Sequence, residues 1–134
     1  MFTWVKIVRR RIRRKTRPGK IARRVGLLKH KEEAQKLALS RLEHFNQFYN
    51  FEYKTVRIKA QTTRWGSCSS KGNLNFNYKI ALLPSYLSDY IIVHELCHLG
   101  EFNHSQNFWD LVGKTVPDYW KFRAELRNFK FKDG

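Results

Sequence analysis

Two histidines in one short segment place the strongest constraint on how this chain folds. His94 and His98 are four residues apart in a segment with the apolar pattern of an amphipathic helix. At about 3.6 residues per turn, side chains with this spacing project from the same face, one turn apart. Both imidazoles could then reach a single metal ion. The segment is therefore predicted to be a helix that presents two candidate metal ligands.

The residue that follows the first histidine indicates a catalytic role for the predicted metal site. Glu95 follows His94 and lies on the adjoining helix face, from which a carboxylate could contact a metal-activated water without ligating the metal. Zinc with three protein ligands keeps a position for water and lowers its pKa from about 15.7 to roughly 7. We therefore expect one Zn²⁺ per chain and Glu95 as general base.

The third ligand should come from just beyond this helix. His104 is the favoured candidate, because imidazole is the usual zinc ligand and Gly100 lets the chain reverse before it. Glu101 is the alternative. The His-Glu-x-x-His pattern can also arise by chance, but three of the five histidines fall between His94 and His104, which favours a metal site.

The segments before this helix predict one further helix and two strands. We expect folded structure to begin near Lys29, after a β-prone start at residues 2–8 and a turn at Pro18-Gly19. From Lys31 to about Tyr49, apolar residues recur at spacings of three and four, which is typical of an amphipathic helix. These residues are Ala34, Leu37, Ala38, Leu42, Phe45 and Phe48.

Two later segments alternate apolar and polar residues. Residues 56–60 and 73–80 have the period-2 pattern of half-buried strands, and the turn-like residues 69–72 lie between them. We expect the two strands to pair antiparallel.

Three helices are predicted after Pro84. Ser85 or Ser88 could cap the His-Glu-x-x-His helix, which would run to about Leu99. Ser105 could cap the next helix, and Pro117 fits the first turn of the last one. The predicted fold class is α+β, with an N-terminal helix, an antiparallel hairpin or small sheet, the histidine helix and C-terminal helices.

Charge divides the chain unevenly. The 134 residues suit one domain, with a net charge of +16 from 27 basic and 11 acidic residues. Residues 1–31 contain 13 Lys or Arg and no acid. We therefore expect a basic N-terminal arm at residues 1–30 and a catalytic domain at residues 31–134.

The cysteines and the apolar runs bear on location. Cys68 and Cys97 are too few for a disulfide framework, so reduced thiols in packed positions are expected. A reactive thiol at Cys68 is the alternative. No apolar run has the length of a signal peptide or of a membrane span, so a cytoplasmic, soluble protein without a membrane partner is expected.

Three motifs together resemble a known family. They are the segments 64–69, 89–98 and 103–109, read as RWGSCS, DYIIVHELCH and NHSQNFW. This likeness, over about residues 31–128, is to the YgjP-like metal-dependent hydrolases, which are relatives of the SprT and WLM zincins. It implies a minimal zincin-like fold and a metallopeptidase that acts on peptides or proteins, with His94, His98 and His104 on zinc and Glu95 as base.

Other polar residues are candidates for binding substrate. Arg64 could face solvent or substrate, while Trp65 anchors its loop and Gly66 permits a tight turn. Asn75 and Asn77 share one face of the second strand, where they are either solvated or bind an extended peptide.

A second class of function competes with hydrolysis. The basic residues 6–31 would attract the phosphate backbone of nucleic acid, but no reading motif accompanies them. The chain could then be a nucleic-acid- or protein-binding module with a structural metal site. Glu95 favours the hydrolase, because a structural site has no need of that carboxylate. The sequence does not predict the oligomeric state.

Overall fold

Helix α1 supplies one wall of the core. In the computed structural model, which describes Phe2–Thr3 and residues 18–129, α1 spans Pro18–Asn46. The predicted apolar stripe is confirmed over its second half, where the buried residues are Ala34, Ala38, Leu42 and Phe45. Phe48 is an exception, since it lies beyond the helix and is 49% exposed.

The start of α1 corrects two sequence-based predictions. The helix begins at Pro18, so Pro18-Gly19 is not a separate turn. The helix also starts 13 residues before Lys31, where the sequence predicted its beginning. Proline suits a first helical position because its fixed φ fits and its missing N–H has no partner there. Gly26 then allows close packing, since an added Cβ would overlap the Tyr78 hydroxyl. The helix therefore runs through residues 30 and 31, while the arm-and-domain division stays a prediction.

A mixed sheet lies beside α1. Its order is β1-β3-β4-β2, with β1 at Phe2–Thr3, β2 at Thr55–Lys59, β3 at Gly66–Cys68 and β4 at Asn73–Asn77. Strand β3 pairs antiparallel with both β1 and β4. The remainder of the β-prone start, residues 4–8, lies outside the described residues, as do the basic residues 6–17.

The predicted antiparallel pairing of the two strands was wrong. β2 and β4 are neighbours, but they run parallel, with Thr55 opposite Asn73 and Lys59 opposite Asn77. The segment between them contains β3, and it is β3, not β2, that forms an antiparallel hairpin with β4. Gly72, with a φ of +88°, makes the turn of that hairpin and donates its N–H to the Ser69 carbonyl at 3.0 Å.

The end of β4 leads into the histidine helix. The strand stops at Asn77 rather than near Ile80, because Asn77 caps a 3-10 helix at Tyr78–Leu82 by accepting the Lys79 N–H. Helix α2 then spans Ser85–Cys97. Neither predicted serine caps it: Ser85 is its first residue, and Ser88 lies inside it and donates to the Ile80 carbonyl at 2.6 Å.

Helix α2 is the central element of the core. Its side chains are at most 1% exposed at Leu87, Ser88 and every position from Tyr90 to Cys97. Helix α3 spans Gln106–Thr115, and the predicted cap by Ser105 is confirmed. Helix α4 spans Tyr119–Arg127, so Pro117 precedes it rather than lying in its first turn. The α+β fold class is confirmed.

The described helices also bear on membranes. Within Phe2–Thr3 and residues 18–129, no helix is both long and apolar enough to cross a bilayer.

Candidate metal centre

Three imidazoles meet at the end of α2. His94 lies in the last turn of the helix, and His98 is the residue that ends it. The His98 Nε2 atom lies 3.0 Å from the Nε2 of His104, which in turn lies 3.2 Å from the Nε2 of His94. Three nitrogens this close, all facing one point, form the ligand triangle expected of a tetrahedral metal site.

The loop from α2 to α3 brings His104 back to the helix. Its first turn is held by the N–H groups of Gly100 and Glu101, which both donate to the Cys97 carbonyl. A side chain at residue 100 would collide with the Phe51 ring, because an added Cβ would lie 2.6 Å from it. Glycine is thus required for close packing of the loop against Phe51.

Hydrogen bonds on the far side of two rings fix their orientation. The Nδ1 atom of His94 lies 3.2 Å from the Tyr90 hydroxyl, and that of His98 lies 3.0 Å from the Glu101 carbonyl oxygen. Both rings therefore turn their Nε2 atoms toward the shared point, as metal-binding imidazoles do. Glu101 contributes its backbone carbonyl to this arrangement, and its carboxylate is not part of the metal-binding cluster of described residues.

Burial keeps the histidines neutral. His94 and His98 are fully buried, and burial lowers the pKa of His98 to about 4 and that of His94 well below its usual value. Burial also lowers the pKa of His104, which is on the exposed side of the cluster. A neutral imidazole offers a lone pair to a metal, and three such ligands are a donor set that zinc prefers. The residues present therefore fit a zinc ion.

Aromatic rings pack around the cluster. Phe108 stacks on His98 at a centroid distance of 4.3 Å, and Trp109 stacks on His104 at 5.8 Å. Both rings come from α3, so the position of this helix depends on the same loop that carries His104. Sequence reasoning placed these two residues in a motif but assigned them no role, and it missed Tyr90. The spacing of four between Tyr90 and His94 is a signal that could have identified it.

Glu95 follows His94 on α2 and packs against the sheet. It is fully buried, and its side chain lies against the backbone of Gly66 in β3. A Cβ added to Gly66 would be 3.0 Å from the Glu95 Cγ and 3.2 Å from its Oε2. Strand β3, which contains the last three residues of the Arg64–Cys68 motif, therefore forms the wall against which this carboxylate packs.

The three predicted substrate-binding residues have different surroundings. Asn77 is fully buried, and its amide donates to the carbonyls of Gln61 and Arg64, so a substrate contact would require breaking these bonds. Asn75 is 5% exposed and donates to the Ser67 hydroxyl at 3.2 Å. The solvated strand face considered for these residues is not found, because both are buried. Arg64 is half-buried at the loop before β3.

Both cysteines are free and buried. Burial raises the pKa of the Cys68 thiol and of the Cys97 thiol, each to about 12. Protonated, inaccessible thiols are poor nucleophiles, which favours the packing role expected for both.

Comparison with known proteins places this site in a family. A family model described as YgjP-like, metallopeptidase domain, matches residues 6–129. The match begins earlier than the resemblance seen in the motifs, since it includes all twelve basic residues before Lys31. No curated protein matches the chain.

Two solved structures share the fold. The metallopeptidase zymogen abylysin of Pyrococcus abyssi aligns with a TM-score of 0.58 and 23% identity, over 70% of this chain and 99% of that one. The metallopeptidase zymogen jannalysin of Methanocaldococcus jannaschii aligns with a TM-score of 0.55 and 20% identity, over 70% of this chain and 93% of that one. At these identities the similarity establishes the architecture.

Proposed function

Because the chain belongs to the YgjP-like metallopeptidase domain family, we propose that it is a zinc-dependent hydrolase of peptide bonds. The single observation that carries the proposal is the convergence of the His94, His98 and His104 Nε2 atoms beside a buried Glu95. This arrangement joins three neutral ligands to one carboxylate that is not needed for ligation.

The three histidines would hold the metal and leave one side of it open. His94 and His98 are buried, whereas His104 is exposed, so the open side lies toward His104. A substrate carbonyl can approach from there. When bound, a zinc ion supplies Lewis-acid chemistry by acidifying water and polarising a carbonyl.

Glu95 supplies the proton transfers. Its carboxylate takes a proton from the attacking water and delivers it to the leaving amine, which is the role of a general base that then acts as an acid. Packing against Gly66 restricts where the carboxylate can move. Restricting a catalytic group to one position removes part of the entropic barrier to the reaction.

The substrate class follows from the family, and the partners beyond it are a further proposal. A peptidase implies protein substrates. The basic residues 6–31 would add a contact to nucleic acid, and part of that stretch is the first half of α1, where Lys20 and Arg24 are exposed and Arg23 is half-buried. Arg64 and Asn75 remain proposed substrate contacts, and a cytoplasmic location remains proposed.

The competing function is a binding module in which the metal only stabilises the fold. A structural zinc site is closed by four protein ligands, whereas the cluster here has three among the described residues. A buried glutamate beside a structural site would bring only a desolvation cost. Both features favour the hydrolase.

A Glu95→Gln variant separates the two functions. It keeps the size of the side chain and the three imidazoles, but it removes the base. We expect zinc content to stay at one ion per chain while cleavage of unfolded casein falls by roughly 10²–10⁴-fold. A Glu101→Gln variant, next to the site but outside the cluster, is the matched control. Equal casein cleavage by Glu95→Gln and the parent would refute the catalytic role.

A further inference from the structure

A positively charged side chain lies beside the metal centre. Arg123, on α4, lies over the Trp109 ring with its Cζ 5.0 Å from the ring centroid. The same ring stacks on His104, with 5.8 Å between centroids. The guanidinium is thus joined to the ligand cluster through one aromatic side chain.

The positive charge of Arg123 acts in the same direction as burial at two of the histidines. Burial is the main cause of the lowered pKa of His94 and of His104, and the positive charge of Arg123 adds to it at both residues. Coulomb interactions fall with distance and are screened by water.

Within residues 2–3 and 18–129, no acidic side chain forms an ion pair with this arginine. Among the described residues, Arg123 forms no ion pair and no hydrogen bond, and its contact with Trp109 is a cation–π contact. Glu125, two positions further along α4, instead accepts a hydrogen bond from Tyr86. Arg123 is half-buried, which makes an unneutralised charge less well solvated than one on the surface.

The position also suits contact with a substrate. His104 is the exposed member of the cluster, and Trp109 connects it to Arg123 on that same side. Stacking on an aromatic ring orients a guanidinium while its N–H groups stay free at the edge. Such a planar fork matches the two oxygens of a carboxylate.

We propose that Arg123 is a substrate-binding residue that recognises a carboxylate of the peptide, an inference that rests on the proposed peptidase function. The carboxylate is either the free C-terminus of the peptide or an aspartate or glutamate side chain. The first would give the protein the preference of a carboxypeptidase, and the second a preference for acidic residues near the scissile bond.

Peptide binding to zinc-loaded protein tests the proposal without requiring turnover. The titrations use the Glu95→Gln background, so that no peptide is cleaved, and follow amide chemical shifts at low salt. One pair of probes is acetyl-trialanine as the free acid and as the amide. The other pair is acetyl-Ala-Asp-Ala-amide and acetyl-Ala-Asn-Ala-amide. Each pair differs by one carboxylate, so the two pairs distinguish the two sources.

Arg123→Gln should abolish the discrimination. We expect one of the acidic probes to bind about tenfold more tightly than its neutral partner when Arg123 is present, as for a charge-assisted hydrogen bond at a partly exposed site. The Gln variant should bind both probes with similar affinity, and Arg123→Lys should restore part of the preference. Binding of the neutral probes should stay unchanged, which a general loss of packing on Trp109 would not allow.

A second cation–aromatic pair, formed by a lysine on the same helix, provides the control. Lys121 lies over the ring of Trp120, at 5.4 Å, and Trp120 is 60% exposed. Lys121→Gln removes the same charge two residues away and should leave the preference intact. The proposal is overturned if neither acidic probe is preferred, if Arg123→Gln retains the preference, or if both variants lose it equally. Zinc analysis of the same samples tests the proposed function separately. A protein that binds no zinc would refute the zinc-dependent peptidase function, regardless of which peptides bind.

Discussion

Gly66 and Glu95 are in direct contact across the boundary between the sheet and the histidine helix. A single added carbon at Gly66 would lie 3.0 Å from the Glu95 Cγ, which is tighter than almost all real contacts of a Cβ atom. It would also lie 3.0 Å from the Asn75 carbonyl oxygen of the neighbouring strand. Because β4 cannot easily move, the glutamate side chain is the group that would have to yield.

Gly66→Ala should therefore impair catalysis more than metal binding. A shift of Glu95 by a few tenths of an ångström leaves the three imidazoles in place but misplaces the base. Misplacement by about 1 Å can cost roughly a hundredfold in rate, so we expect a fall of about ten- to a hundredfold in kcat on casein, with zinc content unchanged.

A second glycine offers the matched control for this variant. Gly113 lies in α3, and a Cβ there would meet only the Tyr119 ring, at 3.6 Å or more. Gly113→Ala should leave kcat unchanged and raise the stability slightly, since alanine is the better helix former by about 1 kcal/mol. If Gly66→Ala and Gly113→Ala have the same kcat as the parent, the contact with Glu95 does not position the base.

The sequence predicted the part of the site that depends on local geometry. The spacing of His94 and His98 needs only the period of a helix, and His104 needs only a loop that can turn back. These predictions required no knowledge of how the elements pack, and the structure brings the three residues together as expected.

The parts that sequence did not predict depend on contacts between distant segments. Val56 and Leu74 alternate with polar neighbours as in any strand, but this alternation does not indicate whether the two strands pair parallel or antiparallel. Strand β3 forms the antiparallel hairpin with β4, and β2 pairs with β4 in the parallel direction. Asn77 reads as a surface residue because asparagine is usually exposed. It is buried because its amide holds the segment that crosses from β2 to β3.

Arg123 could not be found in the sequence for the same reason. It lies on α4, 19 positions beyond His104 in the loop between α2 and α3, and the packing of α4 on Trp109 brings it to the cluster. Charge counts drew attention to the basic arm instead, because residues 1–31 contain 13 Lys or Arg and no acid.

Metal binding should distinguish the two residues that competed for the third position. His104→Ala removes one of three imidazoles, whereas Glu101→Ala leaves the backbone carbonyl that accepts from His98 Nδ1. We expect zinc affinity to fall steeply in the first variant and to change by less than about threefold in the second. Competition with a chromogenic chelator measures both, and the reverse ranking would make Glu101 the ligand.

Tyr90 should contribute to metal affinity without touching the metal. Its hydroxyl is 3.2 Å from His94 Nδ1, and burial raises the pKa of the phenol, which keeps it neutral. Removing a hydrogen bond behind a ligating histidine typically costs about 10–100-fold in metal affinity. Tyr90→Phe should show that loss in a chelator competition.

Tyr86→Phe, one turn earlier on α2, loses a hydrogen bond to the exposed Glu125 and should bind zinc normally. Equal affinities for the two variants would show that the Tyr90 hydroxyl does not support His94.

The last prediction concerns nucleic acid and the basic residues that precede α1. Residues 1–17 contain eight Lys or Arg and no acid, and changing those eight to Gln keeps both β1, which ends at Thr3, and α1, which begins at Pro18. If this segment contacts phosphates, the substitutions should weaken binding to DNA of any sequence and reduce the slope of log affinity against log salt concentration. Zinc content should be unaffected, because residues 1–17 contain no His, Cys, Asp or Glu. Fluorescence anisotropy with two unrelated duplexes, at several salt concentrations, measures both quantities. A variant with the exposed Lys20 and Arg24 changed to Gln tests the start of α1 separately. Unchanged affinity and slope in both variants would show that residues 6–31 do not form the contact surface.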